Sequence, residues 1–130
     1  MAERLGLTYD TGVLVALERG DRAAWAWHKA AVRARRVPTV PAVALAEAWR
    51  GARQARLGAA LAGCRVDPLD EQQARAAGVA LGRAGCDHTI DACVLASAAG
   101  RGDAVLTADP HDLGALAPHL GDVQVIGLQA

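Results

Sequence analysis

The sequence predicts an α/β sandwich of parallel strands joined by helical crossovers, and three observations lead there. Five short β-rich runs recur along the 130 residues, at 6–10, 36–40, 64–67, 103–107 and 122–126. Longer alanine-rich segments with apolar periodicity near 3.6 separate them, the alternation expected of βαβ units. Hydrophobic residues make up 52% of the chain, yet aromatics only 3% with no Phe, so Ala, Val and Leu must fill the core between closely packed helices. The length suits one domain spanning 1–130 and is short for two.

The first run, "GLTYD", closes on Asp10, a carboxylate at the end of an apolar strand. Left unpaired in a core it would cost several kcal/mol or titrate, so it needs a partner or a mouth to solvent. A helix begins near Gly12, and Asp21 caps the next one through about Arg35. "RVPTV" is the second strand, with Pro41 as first residue of the following helix. Gly51, Gly58 and Gly63 break that second crossover into two helices. "CRVD" is the third strand. Asp70, with Gln73 three residues on, forms a capping arrangement for a helix to about Gly82. Asp87 starts another that reaches Gly100, "DAVLT" is the fourth strand, and Asp109-Pro110 opens a last helix ending near His119 ahead of "DVQVI".

Charge bounds the partners. Thirteen Arg and one Lys balance ten Asp and four Glu, for a net charge of zero, which excludes nucleic-acid binding through a general positive field and leaves only local contact. Cys64, Cys86 and Cys93 form no CxxC pair and no zinc spacing, as expected of buried thiols in a reducing cytoplasm. "MAERLGL" has no apolar core of signal-peptide length and no run reaches the roughly 18 apolar residues of a membrane span; a soluble, cytoplasmic protein is expected.

In an open parallel sheet the ligand site lies outside the carboxyl ends of the strands. Asp10 and Asp109 end the first and fourth strands, and each has a second reading as a helix cap. Asp91, in "DHTIDACVLASAAG", lies in the first turns of a helix leading back to the fourth strand, so it faces the same edge. Glu47, in "VALAEAWRG", sits about six residues into its helix, roughly 9 Å from the start, with its side chain leaning back toward that edge. Four crowded carboxylates need either protons or a divalent cation, and an oxygen-only set without Cys or His points to Mg²⁺ or Mn²⁺. Thr11 and Thr107 flank the strand-end aspartates, placed either to bond a carboxylate or phosphate or to cap a turn.

The ordered set of a strand-closing Asp10, the "AEAWRG" Glu47, the "DACVLASAA" Asp91 and the "LTADPHDL" Asp109 resembles the PIN-domain nucleases, and in length and order the VapC-type toxins of toxin–antitoxin pairs, from about Leu7 to Ile126. The resemblance implies a three-layer sandwich whose five-stranded parallel sheet puts the first strand between the second and the fourth. It implies a Mg²⁺- or Mn²⁺-dependent endoribonuclease with Asp10, Glu47, Asp91 and Asp109 as its acidic, metal-holding centre. It further implies an RNA substrate, a cognate antitoxin and a homodimer. Asp87, one turn before Asp91, either joins that site or caps its helix; Asp112 is either an outer ligand or a solvated acid.

Arg50, Arg53 and Arg56 recur at three-residue spacing and share a helix side if the helix runs through Gly51, there to guide RNA phosphates, meet an acidic antitoxin segment, or simply face water. Arg33, Arg35 and Arg36 are expected to be solvated at the opposite edge. Trp25 and Trp27 cannot share one helix face, so one of them is expected to be exposed or in an interface. The four histidines assemble into no motif. Rival readings are a non-catalytic PIN-fold binding or regulatory module, a DNA-directed nuclease, and a phosphoacceptor domain, the last lacking a lysine near the site because Lys29 lies mid-helix.

Overall fold

The computed structural model describes residues 5–129. In chain order its elements are β1 (Leu7–Tyr9), α1 (Thr11–Glu18), α2 (Arg22–Arg33), β2 (Thr39–Pro41), α3 (Ala42–Ala48), α4 (Ala55–Leu61), β3 (Arg65–Asp67), α5 (Glu71–Ala84), α6 (Thr89–Arg101), β4 (Ala104–Thr107), α7 (Pro110–Gly114), a 3-10 turn (Ala117–Leu120) and β5 (Val125–Gly127). The strands form one sheet in the order β3-β2-β1-β4-β5, every pairing parallel. Thr8 stands opposite both Thr39 and Val105, so β1 occupies the middle, as expected. The crossovers from β1 to β3 travel one way across the sheet and those from β3 to β5 travel back. Their common right-handedness puts α1–α4 on one face and α5–α7 on the other.

The core follows from the composition. Val13, Leu14 and Leu17 of α1, Val94 and Leu95 of α6, and Val105 and Leu106 of β4 are fully buried. In α6 every residue from Ala92 to Ala98 is buried. A helix closed off all round has no room for large side chains, and "ACVLASA" supplies small ones. β1, β2 and β4 are buried throughout, whereas β3 is an exposed edge.

A polar clasp ties the α5–α6 face to three strands. Arg101 donates to Asp67 at 2.7 Å, to Asp103 at 3.0 Å and to the Thr8 hydroxyl at 2.7 Å, and Ser97 and Gln73 also donate to Asp67. Burial alone would raise the Asp67 pKa; the donors Ser97, Gln73 and Arg101 override it and hold that carboxyl below its usual range. Arg101→Ala leaves two half-buried carboxylates facing each other without their cation, and we expect a loss of about 2–3 kcal/mol in urea unfolding. A change below about 0.5 kcal/mol would mean that the clasp is a solvated surface pair.

Several element ends differ from expectation, each for a local reason. Pro41 ends β2 and is the N-cap of α3 rather than its first residue. α3 stops at Ala48 because Trp49 turns extended (φ −80, ψ 131), and Gly51 (φ 138) then takes a conformation that other residues avoid. Arg50 and Arg53 therefore lie in a loop, and the three arginines share no helix face. α2 ends at Arg33 and Arg35 is left-handed (φ 57). Gln73 N–H does bond Asp70 at 2.8 Å, but its side chain turns to Asp67, so no reciprocal box forms, and α5 runs on to Ala84. The N-cap of α6 is His88, not Asp87. The last helix divides in two between Gly114 and Ala117, and β5 starts at Val125 after a left-handed turn at Asp122 (φ 54).

Neither Trp25 nor Trp27 is fully exposed. Both are half-buried on either side of the α2 stripe Ala24, His28 and Ala31, with indole N–H groups donating to Leu17 O and Leu128 O. Cys93 is buried and Cys64 and Cys86 half-buried, all free thiols; burial pushes Cys64 up to about 11. His28 is a core histidine bonded to the Tyr9 hydroxyl at 2.8 Å. No helix among the described residues is long and apolar enough to cross a membrane.

Candidate functional site

The carboxyl edge of the sheet gathers acid from four separate elements. Asp10, 8% exposed, continues the sheet ladder through its N–H to Leu106 O and serves as N-cap of α1. Its Oδ1 accepts from Thr11 N at 2.7 Å and its Oδ2 from the Thr107 hydroxyl at 2.8 Å. That hydroxyl in turn accepts from Asp109 N at 3.0 Å, so Thr107 joins the two strand-end aspartates. Asp109 itself makes no side-chain cap bond with α7. The first turn of α1 can come this close to the end of β4 because Gly12 has no side chain; a Cβ there would meet Ala108 Cβ at 3.0 Å.

Glu47 is the sixth residue of α3 and exposed, yet it is not loose. The Thr11 hydroxyl donates to its Oε1 at 2.7 Å. Both threonines thus bond carboxylates. Asp91, in the first turn of α6, lines a shallow groove of about 450 Å³ with Glu47, Asp87, His88 and Asp112. His88 Nδ1 lies 3.7 Å from Asp91 Oδ2; the sequence puts His88 near the site, and the structure pairs it with Asp91. Asp87 and Asp112, each left open between the site and its surroundings, both face this groove.

Crowding is felt in the ionisation of the two most enclosed acids. Burial raises the Asp10 pKa, the Thr107 and Thr11 bonds oppose that, and the charges of Glu47 and Asp109 raise it further. Asp91 is pushed up to about 6, first by burial, then by the charge of Asp10, with smaller contributions from Asp112 and Glu47 opposed by His88. Asp10 therefore lies within electrostatic reach of Glu47, Asp109 and Asp91.

Among the described residues, no three His, Cys, Asp or Glu side chains stand close enough together to enclose a metal by themselves. The donor chemistry nonetheless fits one kind of ion. Mg²⁺ and Mn²⁺ prefer carboxylate oxygen, and Mg²⁺ commonly takes one or two protein ligands and keeps the rest of its water shell. Such an ion would also relieve the repulsion that raises Asp10 and Asp91.

A family model described as PIN domain matches residues 8–116. No curated protein matches the chain. Among solved structures, VapBC2 from Rickettsia felis bound to a DNA fragment from its promoter superposes with a TM-score of 0.71 at 10% identity, covering 93% of this chain and 97% of that one. DNA-bound VapBC from Salmonella typhimurium gives 0.69 at 17% identity, over 95% and 98% of the two chains. FitAB bound to the IR36 DNA fragment gives 0.66 at 19% identity, over 95% and 96%. At these identities the likeness is one of fold.

Proposed function

The chain belongs to the PIN-domain family, and on that premise we propose that it is a Mg²⁺- or Mn²⁺-dependent endoribonuclease of the VapC kind, acting at Asp10, Glu47, Asp91 and Asp109. The single observation that carries the reading is the junction at the end of β1. There Asp10 is bonded through Thr107 to the backbone of Asp109, and Thr11 ties it to Glu47. Burial and the charges of Glu47 and Asp109 oppose the ionisation of Asp10 there, and a carboxyl group perturbed by both at an open edge supports a working site.

A bound divalent ion held by these carboxylates would supply an acidic water and positive charge for the phosphoryl oxygens. The chain's own groups do the positioning. Two hydrogen bonds fix the rotamer of Asp10, and Glu47, tied at Oε1, presents Oε2 to take the proton of an attacking water. Asp91, pushed up to about 6 without metal, would be drawn into its charged form by the bound ion. Water as nucleophile leaves a 5′-phosphate downstream and a 3′-hydroxyl upstream; attack by the RNA 2′-oxygen would leave a cyclic phosphate.

Toxin action, a cognate antitoxin and a homodimer belong to the same proposal, supported by the fold shared with the VapBC and FitAB structures, as do a cytoplasmic location and a single domain over 1–130. The test is end-mapped cleavage of total cellular RNA with Mn²⁺, with EDTA, and with Asp91→Asn. Discrete cuts bearing downstream 5′-phosphates, lost in both controls, are expected. Cleavage of DNA alone, or none despite bound metal, would overturn the RNA assignment.

A further inference from the structure

The neutral chain is divided in charge, and its positive side gathers in a groove with no partner among the described residues. The groove, about 750 Å³, is lined by Arg22, Lys29 and Arg33 of α2, Arg56 of α4, Trp25 and the turn at Gly20. No carboxylate lines it. Arg22, Lys29, Arg33 and Arg56 are all exposed, and among the described residues none is in a salt bridge. The guanidinium of Arg56 lies across the α1–α2 turn, within 3.4 Å of where a Cβ on Gly20 would stand, which brings a cation from α4 up to the α2 row.

Arg22 opens α2 and Arg56 stands in the first turn of α4, helix ends where the dipole alone disfavours a cation; the carboxylates of Asp21, on Ala24 N, and of Glu18, on Leu57 N, cap those two ends. Only Arg33, in the last turn of α2, is placed as the dipole prefers.

We propose that this groove is a binding track for single-stranded nucleic acid, holding the substrate strand while the acidic edge acts on it; the link to cleavage rests on the nuclease reading above. Cations on one helix face with an aromatic among them are what such a strand recognises, phosphates to the charges and a base to the ring. Trp25 is held for that role. Its N–H is fixed on Leu17 O and its ring meets His28 edge-on at 5.6 Å. Along α2 the three cations are spaced by about 10 Å and 6 Å. A run of acidic side chains would use the charges but leave the indole face uncovered, whereas each nucleotide brings both a phosphate and a base that stacks. The groove also lies one short helix from the site: α1 runs from Thr11, bonded to Glu47, to Glu18 beside the Gly20 turn, about 12 Å.

The experiment is binding of a short fluorescein-labelled oligouridylate to the full chain in EDTA, where no metal-dependent cutting occurs, comparing the parent with the double variant Lys29→Gln/Arg33→Gln across a salt series. Both side chains are exposed, and circular dichroism checks the fold. We expect at least about tenfold weaker binding at low salt, and a slope of log affinity against log salt shallower by about 1.4, two phosphates at about 0.7 each. Equal affinity and slope in parent and variant, or no binding by the parent, would overturn the track. So would polyglutamate of equal charge binding as tightly as the RNA, which would assign the groove to an acidic protein partner. The two readings fail separately. Groove-dependent binding without cleavage by the metal-loaded parent leaves the track standing and removes the nuclease; cleavage with groove-independent binding does the reverse.

Discussion

Asp10→Asn is expected to cut RNA about 100-fold more slowly or worse, while melting at or above the temperature of the parent chain. The loss follows from charge, since an amide neither holds a hard cation nor complements positive charge at the edge. The gain follows from the same charge. Asp10 is buried beside Glu47 and Asp109, whose fields oppose its ionisation. Asparagine keeps the shape: its oxygen can accept from Thr11 N, and its NH₂ can donate to the Thr107 hydroxyl, which has a second lone pair beside the one used by Asp109 N. Rate and melting temperature are to be measured on one preparation without metal and with it. A variant that melts well below the parent would show Asp10 to be a structural acid, and one that cuts at the parental rate would remove it from the site.

A second expected result concerns pH. In EDTA the parent chain should lose stability relative to Asp91→Asn as pH rises from 5 to 7. The folded pKa of Asp91, about 6, lies above its ordinary 3.8, so between those values the folded state holds more protons than the unfolded one and stability falls with rising pH. The stabilisation is complete below about pH 4 and gone above about pH 6. A shift of roughly two units corresponds to at most about 3 kcal/mol in all, of which a little under half falls between pH 5 and 7, about 1 kcal/mol once solvent at a side chain 28% exposed is allowed for. Asp67 has the opposite sign, its depressed pKa costing stability only below about pH 4; Asp10, also raised, acts with the same sign as Asp91 and is present in both chains, so the difference between them isolates Asp91 and its coupling to Asp10. Mg²⁺ should restore stability at pH 7 and add little at pH 5. Parallel urea-unfolding curves for parent and variant across this range would show that Asp91 is not held under repulsion.

The strands and most helix starts could be read because each is marked locally. Asp21 and Asp70 cap where expected, bonding the backbone N–H three residues on. Asp10 stood out because a charge does not end an apolar run for nothing. Glu47 was harder: α3 exposes it, and only the Thr11 bond, 36 residues away in sequence, orients it. The end of α3 was legible from Gly51 only to within a few residues. The helix stops earlier, at Ala48, where Arg50 folds back onto the carbonyls of Ala46 and Trp49 and Gln54 takes that of Ala48. The cationic groove was hidden for a related reason. Arg22, Lys29 and Arg33 mark one face of α2, but Arg56 joins them only through the packing of α4 on α1.

The central place of β1 also sets a schedule. Its three residues pair on one side with β2 and on the other with β4, Thr8 opposite Val105, and a chain growing at about 5–20 residues per second needs roughly 5–20 s to make that distant partner. Such non-local pairing is intrinsically slow to form. Asp109 follows β4 directly, and Thr107 bridges it to Asp10. Asp10 and Asp109 therefore cannot meet until most of the chain has been made, and the acidic edge cannot be complete before then.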